Sequence, residues 1–77
     1  MRKLFFDHTD SSGVIIDDVG VDLPSLVEAR HEACLSLGEE AKLFNGLSQP
    51  GRVAVVVRDE GGPILEVGAT FDAKPLP

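Results

Sequence analysis

His8 stands between Asp7 and Asp10, and Asp17 and Asp18 follow on the far side of a turn. Carboxylates around an imidazole are the donor set of a metal centre. The spacing fits no calcium loop, because D-x-[DN]-x-[DN]-G with its distal glutamate is absent. The cluster is therefore expected to be the acidic, solvated tip of a hairpin. Glu28 and His31, three apart, have the types of a general acid and base. No nucleophile stands in register with them, and both fall on the outer side of a helix. Cys34 has no basic neighbour in the helical pattern to favour its thiolate. It is expected to pack as a small hydrophobe on the flank of an apolar face. Gly13 and Gly61-Gly62 lack the strand–loop–helix context of a phosphate cradle and read as turn glycines. Arg30 lies beside the apolar line of the same helix. An anion clamp usually takes a second cation, so Arg30 is expected to snorkel past the sheet edge or to pair with an acidic residue of the segment 17–22. No catalytic residue, no metal ligand and no cofactor is expected from these residues.

The element that must position them runs from Pro24 to Gly46. Ser25-Leu26-Val27-Glu28 fits a capping box, S-x-x-E. Asn45-Gly46 is a helix stop, since glycine tolerates the left-handed closing conformation. The helix is predicted over residues 26–44. At about 100° per residue, Leu26, Ala33, Leu37 and Phe44 form one apolar line, and Val27, Cys34 and Ala41 flank it. Glu28, His31, Glu32, Glu39 and Lys42 lie opposite, and Leu35 points outward. Gly38 weakens the helix interior by roughly 1 kcal/mol relative to alanine.

Strands are predicted on either side. Residues 2–8 carry Leu4-Phe5-Phe6, and residues 14–16 are β-branched; a turn at 9–13 makes the two a hairpin. Residues 17–23 alternate weakly around Gly20 and are read as an extended connector, with a short edge strand as the alternative. Residues 47–51 are a loop. Residues 52–58 form the strongest strand, with Val53, Val55, Val56 and Val57. Asp59-Glu60-Gly61-Gly62 is a hairpin turn, and residues 63–71 return, with Pro63 at a position that tolerates proline. Residues 72–77 are a loose tail. The predicted fold is α+β, in the order β-β-α-β-β. One amphipathic helix packs on one face of a four-stranded antiparallel sheet, in a single domain spanning residues 1–77.

Thirteen acidic residues against seven basic ones give a net charge of −6. Direct binding to nucleic acid or to an anionic membrane needs clustered cations, so both are excluded. No apolar run is long enough to span a bilayer. The short apolar run after Met1-Arg2-Lys3 ends at Asp7, too soon for a signal peptide. The single cysteine allows no internal disulfide, and a cytoplasmic location is expected. An enzyme is not expected either, because so small a domain leaves little room for a pocket of roughly a few hundred Å³.

One helix covers one sheet face. If Leu4, Phe6, Val53, Val55, Val57, Leu65 and Val67 face it, then Phe5, Ala54, Val56 and Ile64 are left uncovered. That face is expected to bind a protein: another copy, as a homodimer, or an external partner; the alternative is that the tail 74–77 folds back and covers part of it.

The same residues carry a resemblance. Leu4-Phe5-Phe6, the turn ending in Gly13, Asp17 with Gly20, Leu23-Pro24-Ser25-Leu26, Ala29-Arg30, Glu32-Ala33, and Asp59-Glu60 with Gly62 resemble a family of small bacterial proteins. Its pattern is YFF, D-x-x-G, L-P-x-L-x-x-A-R-x-E-A and D-E-x-G, and it is known only as a domain of unknown function. The resemblance covers nearly the whole chain. It implies a freestanding bacterial protein and carries over no functional residue. The family often has a histidine directly after the aromatics; here Asp7 takes that place and His8 follows. The chain is also similar in layout to antitoxin subunits of the HicB type, which place three strands before the helix and one after it. A non-enzymatic interaction or regulatory module is the first expectation, and a HicB-like antitoxin the alternative.

Overall fold

The computed structural model describes residues 2–10, 12–43 and 51–77. The predicted helix end at Phe44, the stop at Asn45-Gly46, Ser11 of the first turn and loop residues 47–50 lie outside them. The elements run β1 (Arg2–Asp10), β2 (Gly13–Ile15), β3 (Val21–Leu23), α1 (Leu26–Leu43), β4 (Gly51–Asp59) and β5 (Gly62–Phe71). The fold is α+β: one helix on an antiparallel sheet, ordered β2-β1-β4-β5, with β3 also paired to β1.

The central strand is β4, flanked by β1 and β5 and lying under α1. Its composition follows from that position. Val53, Ala54, Val55 and Val57 are all buried, as β-branched residues on a covered pleat should be. Phe6, Val57 and Leu65 share one rung, and His8, Val55 and Val67 the next. These rungs face α1. Leu4, Ala29, Ala33, Val55 and Val57 form the fully buried cluster, with Phe6, Leu23, Leu37, Ile64, Leu65 and Val67 packed around it. Burying a side chain such as Leu4 contributes roughly 1.5–3 kcal/mol.

Two departures from the sequence reading concern secondary structure. Residues 21–23 are a strand, not a connector: Val21, Asp22 and Leu23 pair with Leu4, Lys3 and Arg2. The sheet therefore has five strands, three before the helix. The helix also sits rotated from its expected setting. Ala33 is buried and Leu37 packs on the core, as the apolar line predicts, but Ala29 is fully buried as well, whereas Cys34 is exposed, Val27 is 76% exposed and Leu26 47%. The reason is steric: two alanines four apart let the helix backbone approach a valine-rich sheet. Cys34 is thus a surface thiol and not a packing residue. Leu35 is exposed, as expected.

At the helix start the Ser25 hydroxyl donates to the Glu28 carboxylate. The first helical bond runs from the Ala29 N–H to the Ser25 carbonyl, at 3.2 Å. The capping pair meets side chain to side chain, and Ser25 holds the Glu28 carboxyl below its ordinary range.

Candidate functional site

β2 and β3 both line the outer edge of β1, leaving a gap between residues 4 and 8 of that strand. Asp17 fills it. One Asp17 carboxylate oxygen, Oδ2, accepts the Phe6 N–H at 3.0 Å. The other, Oδ1, accepts the N–H groups of Val19 at 3.0 Å and Gly20 at 3.2 Å. Burial alone pushes this carboxyl up; the three backbone donors and the Arg58 charge outweigh it and hold Asp17 below the usual range. At the other end of the D-x-x-G run, Gly20 has φ +75, and a Cβ there would lie 2.9 Å from the Phe5 ring and 3.1 Å from the Leu4 carbonyl. The run is a clip that seats the β2–β3 segment against β1.

A second carboxylate anchors the clip from the face away from α1. Asp7, 7% exposed, accepts the Asp17 N–H at 2.8 Å and the Arg58 Nε–H at 2.7 Å. Arg58 also donates to the Asp17 carbonyl at 2.6 Å, and its guanidinium lies 4.5 Å from the centre of the Phe5 ring. A buried carboxylate requires such a partner set.

On the helix side of the clip is an open groove of about 380 Å³. Its floor includes Phe6 and His8 of β1, its outer wall Ile15, Ile16 and Val21, and its inner wall Glu32 and Ser36 of α1. A space of this size was not expected of so small a domain. It exists because β2 and β3 extend the sheet beyond the width that one helix covers. Ile15 is 68% exposed, Ile16 60%, and Val19 on the same clip 73%.

The residues singled out from sequence separate in the fold. Asp7 and His8 do not share a solvated tip. Asp7 is buried on one face, while His8 turns toward the helix, with Nδ1 4.0 Å from the Glu40 carboxylate. His8 Nε2 is buried without a hydrogen-bond partner among the described residues. Asp10 closes the β1–β2 turn: the Ser12 hydroxyl and N–H donate to it at 2.6 and 2.7 Å and hold its carboxyl low. Among the described residues no group of three or more His, Cys, Asp and Glu is arranged to hold a metal ion. Glu28 is taken up by the helix cap, apart from His31. Among the described residues no ion pair includes Arg30, which is exposed; Arg58 instead donates to the 17–22 segment, at the Asp17 carbonyl.

Phe5, Ala54, Val56 and Ile64 do not form one uncovered patch. Ala54 is 4% exposed, and Ile64 packs against the core. A bulge between Val57 and Arg58 shifts the β4–β5 register, so that Arg58 meets Pro63 and Ile64 gains the helix side. Phe5 and Val56 are half-buried, with Arg58 over Phe5. Arg52 lies across Gly68 and pairs with Glu66 at 3.2 Å. Alternation along β4 carries the signal: Arg52 and Arg58 share the face of Ala54 and Val56. The exposed apolar residues of the clip, Ile15, Ile16, Val19 and Val21, were the ones sequence reasoning missed.

No curated protein and no solved structure matches the chain. The D-x-x-G clip, the L-P-S-L helix entry and the D-E-x-G turn all fall within residues 3–70, and over that span the chain matches, and belongs to, the family described as a domain of unknown function, DUF6894.

Proposed function

We propose that the protein is a non-enzymatic protein-interaction or regulatory module of the bacterial cytoplasm that docks its partner in the groove between the clip and α1. The observation that carries this is the exposure of Ile15, Ile16 and Val21 along a groove whose rim is acidic at Asp18 and Glu32. Contiguous exposed apolar surface with a polar rim marks interaction sites. The fitting partner presents an apolar segment with basic flanks. A binding role is also supported by the engagement of the best-placed polar groups: Asp17 by backbone amides and Asp7 by Arg58.

The test is capture from the native host by wild type, Ile15→Glu and Val56→Lys proteins. Wild type and Val56→Lys are expected to retain one partner in a salt-sensitive manner, and Ile15→Glu to lose it. Retention by Ile15→Glu with loss in Val56→Lys would move the docking surface to the opposite face. A HicB-like antitoxin role is the second reading. It gains from β3, which gives three strands before the helix, and loses from the two strands after it. Fold analogy alone carries no function, so a toxin gene beside this one is the observation that would favour it.

A further inference from the structure

The backbone hydrogen bonds of the sheet can be followed strand by strand. The Phe6 N–H points away from β4, toward Asp17. Antiparallel pairs alternate, so Val57 on the same rung turns its backbone groups to Leu65 of β5. Along β5 the groups of Glu66, Gly68 and Thr70 then point outward. β5 ends the sheet, and residues 72–77 are exposed and form no further strand.

Among the described residues no strand pairs with this edge; an edge of this length is a template for another strand, and proteins usually block it with lysine, proline, a bulge or a cover. On β5 the blocking devices stop early. Pro63 and the bulge lie at its start. Beyond them Glu66 is the one charged residue of Gly62–Phe71.

We infer that the outer edge of β5 pairs with β5 of a second copy, antiparallel about a two-fold axis, into one continuous sheet. Charge selects this occupant and narrows the register. Centring the axis on Glu66 would set two carboxylates directly opposite. Centring it on Val67 or Gly68 brings Glu66 of each copy toward Arg52 of the other. Arg52 already lies across Gly68, at the seam. On the helix face Val67 and Ala69 then supply apolar cross-strand contacts. Each copy thus offers both the cation and the carboxylate that the other needs, as a two-fold interface requires. The contact is narrower than a standard interface, which buries about 1,600 Å² in total, so the dimer is expected in the high micromolar range. This surface is separate from the groove, and either reading can fail without the other.

The experiment is sedimentation equilibrium with amide hydrogen exchange, from low micromolar to millimolar protein. Wild type is expected to dimerise, with exchange at Glu66, Gly68 and Thr70 slowing several-fold as concentration rises. Thr70→Pro removes one outward donor, at an edge position that tolerates proline, and is expected to abolish the dimer. Glu66→Arg is expected to weaken it and the swap Arg52→Glu with Glu66→Arg to restore it, which keeps the test independent of how Thr70→Pro folds. A wild type that stays monomeric at millimolar concentration overturns the inference. So does a dimer whose protection appears elsewhere and that survives the charge reversal.

Discussion

Along the outer edge of β1 the backbone is met three times over: by β3 at residues 2–4, by the Asp17 carboxylate at Phe6, and by β2 at residues 8–10. Along the outer edge of β5 no strand or side chain among the described residues does the same. Both strands are long, with nine residues in β1 and ten in β5. The difference lies in what the chain does next. After β1 it doubles back once and runs along the same edge as two short strands in line, β2 and then β3, and the join between them needs a side chain to replace a missing backbone. After β5 it leaves as an exposed tail. One edge is thereby fixed by polar groups with defined partners, and the other is paired with no strand among the described residues. Substitutions should separate the two edges sharply.

The largest effect is expected at Asp17. Asp17→Ala strands three backbone N–H groups, each bonded to a charged acceptor, and removes a partner charge near Arg58. Hydrogen bonds to charged groups contribute about 1.5–3 kcal/mol each, and water recovers part of that here, so a loss of roughly 2–4 kcal/mol is expected. Denaturant unfolding measures it. A loss below about 1 kcal/mol would mean that β2 and β3 hold the edge without the clip.

Gly20→Ala comes next. The glycine combines φ +75 with close contacts to the Phe5 ring and the Leu4 carbonyl. The new Cβ meets a packed ring and backbone, which cannot swing aside. A cost of roughly 1–3 kcal/mol is expected, with the amide signals of β3 most disturbed. An undisturbed β3 would show that the segment approaches β1 less closely than described.

Acid probes the same edge more gently. Asp17 has a depressed folded-state carboxyl. Its contribution is complete above the unfolded value of about 3.9 and is lost as pH falls through the lower folded value. Melting temperature should therefore drop below pH 4, and Asp17→Asn should flatten that slope. An unchanged slope would assign the acid sensitivity to the other depressed carboxyls, Asp10, Glu28 and Asp59.

The legible part of this fold was whatever depends on local pattern. Ser25 and Glu28 marked the helix start, Asp59 to Gly62 marked a turn, and the valines of 52–58 marked the central strand. Each needs only neighbours in sequence. The hidden part depends on which strands meet. Val21, Asp22 and Leu23 alternate as a strand does, but three residues have no strand identity until β1 offers them an edge. Ile64 alternates outward on paper, and a bulge turns it inward. Ala29 gave little hydrophobic signal, yet its smallness lets the helix settle. For the candidate site, Asp17 and Gly20 were marked only by the family resemblance, Asp17 otherwise reading as part of a solvated acidic tip, and their bond to Phe6 and contact with Phe5 required the tertiary fold. The groove was invisible for the same reason: it is the space between an edge and a helix that are not neighbours in sequence.

The smallest effect is expected at Gly68, and it makes the sharpest contrast with Gly20. A Cβ at Gly68 would lie 2.2 Å from Arg52 Nη2 and 2.6 Å from Cζ, closer than anything met at Gly20. By distance alone Gly68→Ala should be the worse substitution. The neighbour, however, is the far end of a flexible side chain that is 52% exposed, and Gly68 carries no left-handed φ. Arg52 can swing into solvent. Its pairing with Glu66, itself 53% exposed, is worth at most about 1 kcal/mol. Alanine also restricts the unfolded chain more than glycine does, which favours the fold by roughly 0.4–1 kcal/mol. The two contributions nearly cancel, so a net change within about 0.5 kcal/mol is expected, measured beside Arg52→Ala and the double variant. In the double variant the clash is gone, and adding alanine to Arg52→Ala should be stabilising. A loss at Gly68 comparable to that at Gly20 would mean that the β5 edge is as closely fitted as the β1 edge, and the contrast between them would fall.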